Sequence, residues 1–268
     1  MKSVGLALSA GGSRGIAHIG VIKCLVEHDI PIDMISGTSA GALIGGLYAS
    51  TGDISKVETI FKNLNKREVI SLFTDPSIKA GFIKGNKTEN FLRRHFEQSE
   101  ISKFPIKFQA VTTDINTGKT VRFSKGDAVE AIRASISVPL IFKPVVINGR
   151  LLVDGGVTEP VPVHTLTKMG ADIRIAVNLN NSKSIEKIEK QDYRKPSMLS
   201  ILRSTILLLI NNLAEQLEKE AEIIIKPTVP FEGYLPNLVK YIDKFEEVEQ
   251  EGYNKTLKQI EKIKSLLR

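Results

Sequence analysis

Met34-Ile35-Ser36-Gly37-Thr38-Ser39-Ala40-Gly41-Ala42-Leu43-Ile44 is the stretch on which the reading of this chain turns. An apolar run from Ile32 to Ser36 reads as a buried strand, and Ala42 to Ser50 opens a helix. Between them lies Gly37-Thr38-Ser39-Ala40-Gly41, a G-x-S-x-G pattern. Its glycines, Gly37 and Gly41, leave room for a sharp elbow in which the central serine takes a strained backbone and projects its hydroxyl outward. The N-terminus of the following helix favours negative charge developing there. Ser39 is therefore a candidate nucleophile. The blander alternative is a tight strand-to-helix turn that needs two small residues.

Upstream the same grammar recurs. Val4 to Ser9 reads as a strand, Ala10-Gly11-Gly12-Ser13-Arg14-Gly15 as a loop, and Ile16 to His28 as a helix. Glycines let backbone N–H groups line a concave loop that can hold an oxyanion or a phosphate. A dinucleotide loop wants G-x-G-x-x-G and an acid closing the second strand. Here Ala10 takes the first glycine's place, and Asp33 opens that strand instead of closing it. The oxyanion reading fits better, with Gly11, Gly12, Ser13, Arg14 and Gly15 as its residues. Arg14 has two readings, a clamp on a substrate phosphate or a partner for a surface acid.

Downstream, Asp154-Gly155-Gly156 closes the strand Leu151-Leu152-Val153. A lone Asp-Gly is usually a turn. Together with an elbow serine, Asp154 becomes a candidate base. Serine hydrolases usually place a histidine between serine and acid. Of His18, His28, His95 and His164, only His164 follows Asp154 in the order serine, acid, histidine. It comes ten residues later, at the head of a helix begun by Pro160-Val161-Pro162 that carries it away from the cleft. A surface or capping role suits it better. Gly85-Asn86-Lys87-Thr88 hints at a nucleotide loop, but its glycine spacing is wrong and no strand leads directly in.

The remaining pattern predicts strands at Lys107 to Thr112, Thr120 to Phe123, Ala171 to Leu179 and Glu222 to Lys226. A hairpin is expected about Asn148-Gly149, joining Val145 to Ile147 with Leu151 to Val153. Asp127 to Ser135 reads as a short helix, Ser182 to Pro196 as a polar loop and Met198 to Glu220 as a long amphipathic helix. Tyr253, Leu257, Ile260, Ile263 and Leu267 give a last helix its stripe. The expected fold is α/β, a single domain with a mostly parallel central sheet flanked by helices. Within it, 1–180 forms the core and 181–268 a helical extension packed on the same domain.

Composition agrees. The chain has 268 residues, 42% of them hydrophobic and 25% charged, as a soluble globular protein does. No run reaches the ~18 apolar residues of a membrane span, and the short N-terminal apolar run suits a first strand better than an export signal. One cysteine, Cys24, leaves no internal disulfide and no cysteine-based metal cluster. It reads as a small buried hydrophobe. These features suit a cytoplasmic protein. The net charge of +7 favours anionic surfaces, but the basic residues are scattered through Lys/Glu-rich helices and there is no tryptophan, which argues against a nucleic-acid partner.

Gly11-Gly12-Ser13-Arg14-Gly15-Ile16-Ala17-His18-Ile19-Gly20, Gly37 to Gly41 and Asp154-Gly155-Gly156 together resemble the patatin-like phospholipase family in its bacterial-type branch. Gly81-Phe82-Ile83-Lys84-Gly85, Arg133-Ala134-Ser135-Ile136-Ser137-Val138-Pro139 and Phe142-Lys143-Pro144-Val145 match as well, so the resemblance covers roughly Val4 to Leu179. It implies a Ser39–Asp154 catalytic dyad without histidine, an oxyanion hole at Gly11 to Gly15, and hydrolysis of lipid acyl esters without metal or cofactor. The sequence departs at Ala10, for the loop's first glycine, and at Thr158-Glu159-Pro160, where the family often has asparagine before the proline. Neither change touches a reacting group.

Two further readings stay open. One is a lipid-binding or regulatory protein of this fold with little turnover; a nucleotide-binding α/β protein ranks behind it. For the Met198 to Glu220 helix, the broad apolar face covers the core or a second copy of the chain, or else meets an anionic membrane while Lys183, Lys187, Lys190 and Lys195 reach head groups.

Overall fold

The computed structural model describes residues 2–72, 76–77, 82–180, 198–229 and 243–268. The Ser182 to Pro196 loop and its lysines, and Gly81 of the second glycine motif, lie outside them.

Among the described residues, ten strands, β1 (Val4–Leu8), β2 (Met34–Thr38), β3 (Pro76–Ser77), β4 (Phe82–Ile83), β5 (Lys107–Asp114), β6 (Lys119–Phe123), β7 (Val145–Ile147), β8 (Arg150–Asp154), β9 (Ile173–Val177) and β10 (Ile223–Ile225), are interleaved with helices. The helices are α1 (Ile16–Glu27), α2 (Ala40–Thr51), α3 (Ile54–Lys62), α4 (Lys66–Leu72), α5 (Asn86–His95), α6 (Ala128–Ser135), α7 (Val163–Met169), α8 (Met198–Leu217), α9 (Phe245–Leu257) and α10 (Ile260–Leu267). β3 and β4 form a separate two-stranded ribbon. The other eight strands make one sheet, in which β10, β9, β1, β2 and β5 are mutually parallel. β1 and β2 are buried throughout, as strands covered on both faces must be. Alternation decides which face each side chain serves. Leu6, Leu8, Ile35, Ile175 and Val177 join α1, α2 and the last two helices in the main core. Ala7, Met34 and Ala176 point the other way, onto Val163 and Leu166 of α7 and Ala214 of α8.

The register places the functional edge. β2 pairs with Lys107 to Val111 of β5 in parallel, and β8 pairs with Thr112 to Asp114 in antiparallel. β6 occupies β5 from Ala110 to Asp114. A strand has two edges, so β2 and β8 share the edge opposite β6. They run toward each other along it, with Thr38 opposite Val111 and Asp154 opposite Thr112. The carboxyl ends of β2 and β8 therefore meet head to head.

Among the described residues the predicted strands and helices are found with shifts of one or two residues at their ends, except that the Met198 to Glu220 helix ends at Leu217 in a 3-10 turn and the C-terminus differs. The single last helix is broken at Lys258-Gln259, where Gln259 N–H turns back to Thr256 O, so the stripe from Tyr253 to Leu267 spans two helices. α9 lies across α1 at a close crossing. A methyl group on Gly20 would fall 1.9 Å from Glu249 O, and one on Gly252 would fall 2.0 Å from Ala17 O. Only glycine lets the two backbones approach so closely.

Candidate active site

Ser39 is the first residue beyond β2 and caps α2, with φ 54° and ψ −118°. Positive φ is costly for a residue with a Cβ, on the order of 1–3 kcal/mol, and persists only where the surroundings enforce it. Here they do. A methyl on Gly41 would sit 2.1 Å from Leu8 O, and one on Gly37 would sit 2.5 Å from Gly41 O, so the chain must be bare on both sides of the bend. Ser39 N–H donates to Ser135 Oγ at 2.9 Å, and the Ser135 hydroxyl donates onward to Val111 O at 2.6 Å.

Asp154 ends β8, and its carboxylate accepts a hydrogen bond from the Ser39 hydroxyl and one from Gly156 N–H at 2.7 Å. Both Ser39 and Asp154 are buried. Burial pushes the Asp154 carboxyl up from the ordinary 3.8 to about 6, against the lowering effect of the Ser39 and Gly156 hydrogen bonds. A carboxylate of that basicity, held against a hydroxyl, can take its proton near neutral pH.

The glycine loop completes the edge. Gly12 to Gly15 form a 3-10 turn leading into α1, with Gly12 at φ 57°. A methyl on Gly15 would fall 2.7 Å from Ala40 Cβ, and one on Gly156 would fall 3.5 Å from Ala10 Cβ, so the loop borders both the elbow and the aspartate strand. Arg14 N–H closes the turn on Gly11 O at 3.2 Å. The N–H groups of Gly12 and Ser13 precede that bond and have no acceptor within the turn.

The Arg14 side chain is buried and donates to Gly11 O at 3.1 Å, Leu179 O at 2.6 Å and Asn180 Oδ1 at 2.9 Å. Its backbone N–H is spent on Gly11 O, and these side-chain bonds brace the loop against the end of β9. Asn180 also donates to Ala10 O at 2.7 Å. Asn180 lies just past the apolar β9 stretch.

The histidines stay out of the constellation. His164 is exposed beside Glu220, its Nδ1 3.8 Å from the carboxylate. His18 is buried in α1, with Nε2 2.9 Å from Ser9 O. Burial foremost, with the charge of Arg14 adding to it, lowers its pKa to about 4, so it is neutral at working pH. Cys24 is buried and its thiol is pushed up to about 11, which leaves it inert. Glu159, at the second sequence departure, is buried under Arg122 and accepts from Thr165 N–H and Oγ1 at 2.8 Å. Its carboxylate is committed to the fold.

The segment Arg133 to Ser137 carries more of the site than its sequence discloses. Besides the Ser135 bond, Ser137 O accepts Asp154 N–H at 3.0 Å. Arg133 donates to Ser137 Oγ and to Lys84 O, both at 2.7 Å, and stacks over Phe142. No periodicity marks these polar side chains; only the motif resemblance picks them out.

A sequence profile of the patatin-like phospholipase family matches residues 6–167. An NTE family protein of Mycobacterium tuberculosis is 41% identical over 182 residues, covering 68% of this chain and 50% of the relative. The lysophospholipase NTE1 of Candida albicans is 36% identical over 183 residues, covering 67% of this chain and 13% of the fungal protein. The chain thus spans about half the length of the mycobacterial relatives it matches. Among solved structures, VipD from Legionella pneumophila superposes with a TM-score of 0.53 at 14% identity, over 97% of this chain and 67% of VipD. The type III effector ExoU gives 0.50 at 13% identity, over 98% of this chain and 53% of ExoU. At those identities the likeness concerns the fold.

Proposed function

The chain belongs to the patatin-like phospholipase family, and from that premise we propose that it is a serine acyl hydrolase acting on lipid esters through Ser39 and Asp154. The observation that carries the reading is the buried carboxylate accepting a hydrogen bond from the hydroxyl of a strained-elbow serine. Ser39 Oγ attacks the acyl carbonyl while Asp154 takes its proton. The N–H groups of Gly12 and Ser13 receive the charge forming on the carbonyl oxygen; one such donor is worth on the order of 100-fold or more in rate. Asp154 returns the proton to the leaving alcohol. Water, deprotonated by the same carboxylate, then attacks the acyl carbon, and Asp154 hands that proton to Ser39 Oγ as its bond to the acyl group breaks and the fatty acid leaves.

Lysophospholipids are the proposed substrate class, following the fungal relatives' name. Residues 1–180 would then be the catalytic core, and 181–268 an extension bracing it through the Gly20–Gly252 crossing. The test is a panel of short-chain esters, lysophospholipids and diacyl phospholipids given to wild type and Ser39→Ala. Hydrolysis of the lipids by wild type alone is expected. Ester cleavage that survives in Ser39→Ala would overturn the assignment.

α8 supplies a lipid-facing element in this reading. Leu207, Asn211 and Ala214 form its buried stripe, continued by Glu218 just past its end, while Met198, Ile201, Leu202, Leu208 and Leu209 are exposed, Met198 by 85% and Leu209 by 63%. No described helix is long and apolar enough to cross a membrane. Contact would therefore be peripheral, with the leucines in the acyl boundary and the net positive charge drawn to anionic head groups. Wild type should bind anionic vesicles weakly at low salt, and Leu208→Ser with Leu209→Ser should reduce binding. Full binding by that double variant would remove α8 from the interface.

A further inference from the structure

We propose that Ser135 is a positioning residue that holds the nucleophile elbow in its reactive conformation. The inference rests on Ser39 being the nucleophile and Asp154 its base. The head-to-head meeting of β2 and β8 brings the two residues together but does not fix them to each other, because consecutive residues of β5, Val111 and Thr112, stand opposite different strands. What joins the two ends is the last residue of α6 and the turn that follows it. Ser135 Oγ accepts Ser39 N–H at 2.9 Å, and two residues later Ser137 O accepts Asp154 N–H at 3.0 Å. One short stretch of chain thus grips the backbone nitrogen of both reacting residues.

The Ser135 hydroxyl suits this task because its own proton is committed. It donates to Val111 O at 2.6 Å, which leaves an oxygen lone pair fixed toward Ser39 N–H. Ser135 is fully buried, so no water can replace it. Without this acceptor, Ser39 N–H would be a buried orphan at a residue already strained at φ 54°. The peptide would be free to rotate toward an ordinary conformation, carrying Oγ away from Asp154. The turn is itself anchored: Arg133 holds Ser137 Oγ and Lys84 O, and the Ser137 hydroxyl donates back to Arg133 O at 2.8 Å. None of these side chains is needed to touch substrate, so the loss should fall on kcat.

The experiment uses Ser135→Ala and Ser135→Cys, with active sites titrated by a fluorophosphonate and turnover expressed per titrated site. The cysteine variant fills the space but accepts hydrogen bonds poorly, and it covers the case in which the alanine variant does not fold. Expected for each folded variant is a fall in kcat per titrated site of about tenfold to 100-fold, with KM within about twofold, since small misplacements at a reacting centre carry such factors. The acid limb of the pH profile should also move to higher pH, because Asp154 loses the Ser39 hydrogen bond that favours its carboxylate. A residue that only stabilised the fold would lower the titratable fraction and leave turnover per site unchanged. Wild-type turnover per site in either variant overturns the proposal. Wild type that is not labelled at Ser39 would instead overturn the functional reading beneath it.

Discussion

Two neighbouring strand-to-helix turns, 9–15 after β1 and 37–41 after β2, use glycine for opposite purposes. At the elbow the left-handed residue is Ser39, the proposed nucleophile, and its glycines are bare because backbone crowds them. In the loop the left-handed residue is Gly12, with nothing within 4 Å of where its Cβ would be. There it is the N–H groups that count. The elbow's peptide nitrogen is tied down by Ser135, whereas those of Gly12 and Ser13 precede the turn's first bond. One turn is built to aim a side chain and the other to present backbone. Substitutions should therefore fail differently in the two.

The largest effect should belong to the proposed reacting pair. Ser39→Ala and Asp154→Asn should each lower turnover by about 1,000-fold or more, and the double variant should lose little beyond either single one, because the two act as a unit. His164→Ala should stay within about twofold of wild type. Steady-state kinetics on a lysophospholipid checks all four; a folded but inactive His164→Ala would turn the dyad into a triad.

Next come the glycines, which separate the turns directly. Gly41→Ala must push against the Leu8 backbone at 2.1 Å, so thermal unfolding should show loss of the folded protein. Gly12→Ala meets no obstacle and should cost only about 1 kcal/mol for its positive φ. Its turnover should nevertheless fall by about tenfold or more, as the N–H donors tilt. Equal stability losses in the two variants would erase the distinction.

A smaller effect appears in stability. The Asp154 carboxyl rises from 3.8 to about 6 on folding, equivalent to about 3 kcal/mol of ionisation cost. The sign is that of a raised pKa: the stability is present at pH 4 and lost as pH rises through about 6. Asp154→Asn escapes that loss, so denaturant unfolding should find it up to about 3 kcal/mol more stable than wild type at pH 7, with the gap closing toward pH 4. His18 is common to both proteins and drops out of the comparison. A gap that does not change with pH would mean Asp154 is solvated.

Much of this was legible in the sequence, and unevenly so. Ser39 and Asp154 were singled out by a local signal: Ser39 follows an apolar strand inside G-x-S-x-G, and Asp154 ends one before two glycines. The main sheet strands and α1, α2 and α6 followed from the apolar pattern. The contacts of Ser135 and Arg14 could not be read, because each depends on which group lies opposite in space: Ser39 N–H for one, Leu179 O and Asn180 Oδ1 for the other. The break at Lys258-Gln259 was hidden for a related reason, since an apolar stripe at helical spacing is unaltered by one tight turn.

The central claim, that Asp154 is the base for Ser39 with no histidine between them, is tested most directly by the pH dependence of fluorophosphonate labelling at Ser39. The rate in wild type and in His164→Ala should rise with pH through an inflection near 6, the folded-state value for Asp154, and level off above it. In Asp154→Asn it should fall by about 1,000-fold and lose that inflection. Labelling of Asp154→Asn within about tenfold of wild type, with the inflection intact, would show that another group takes the proton.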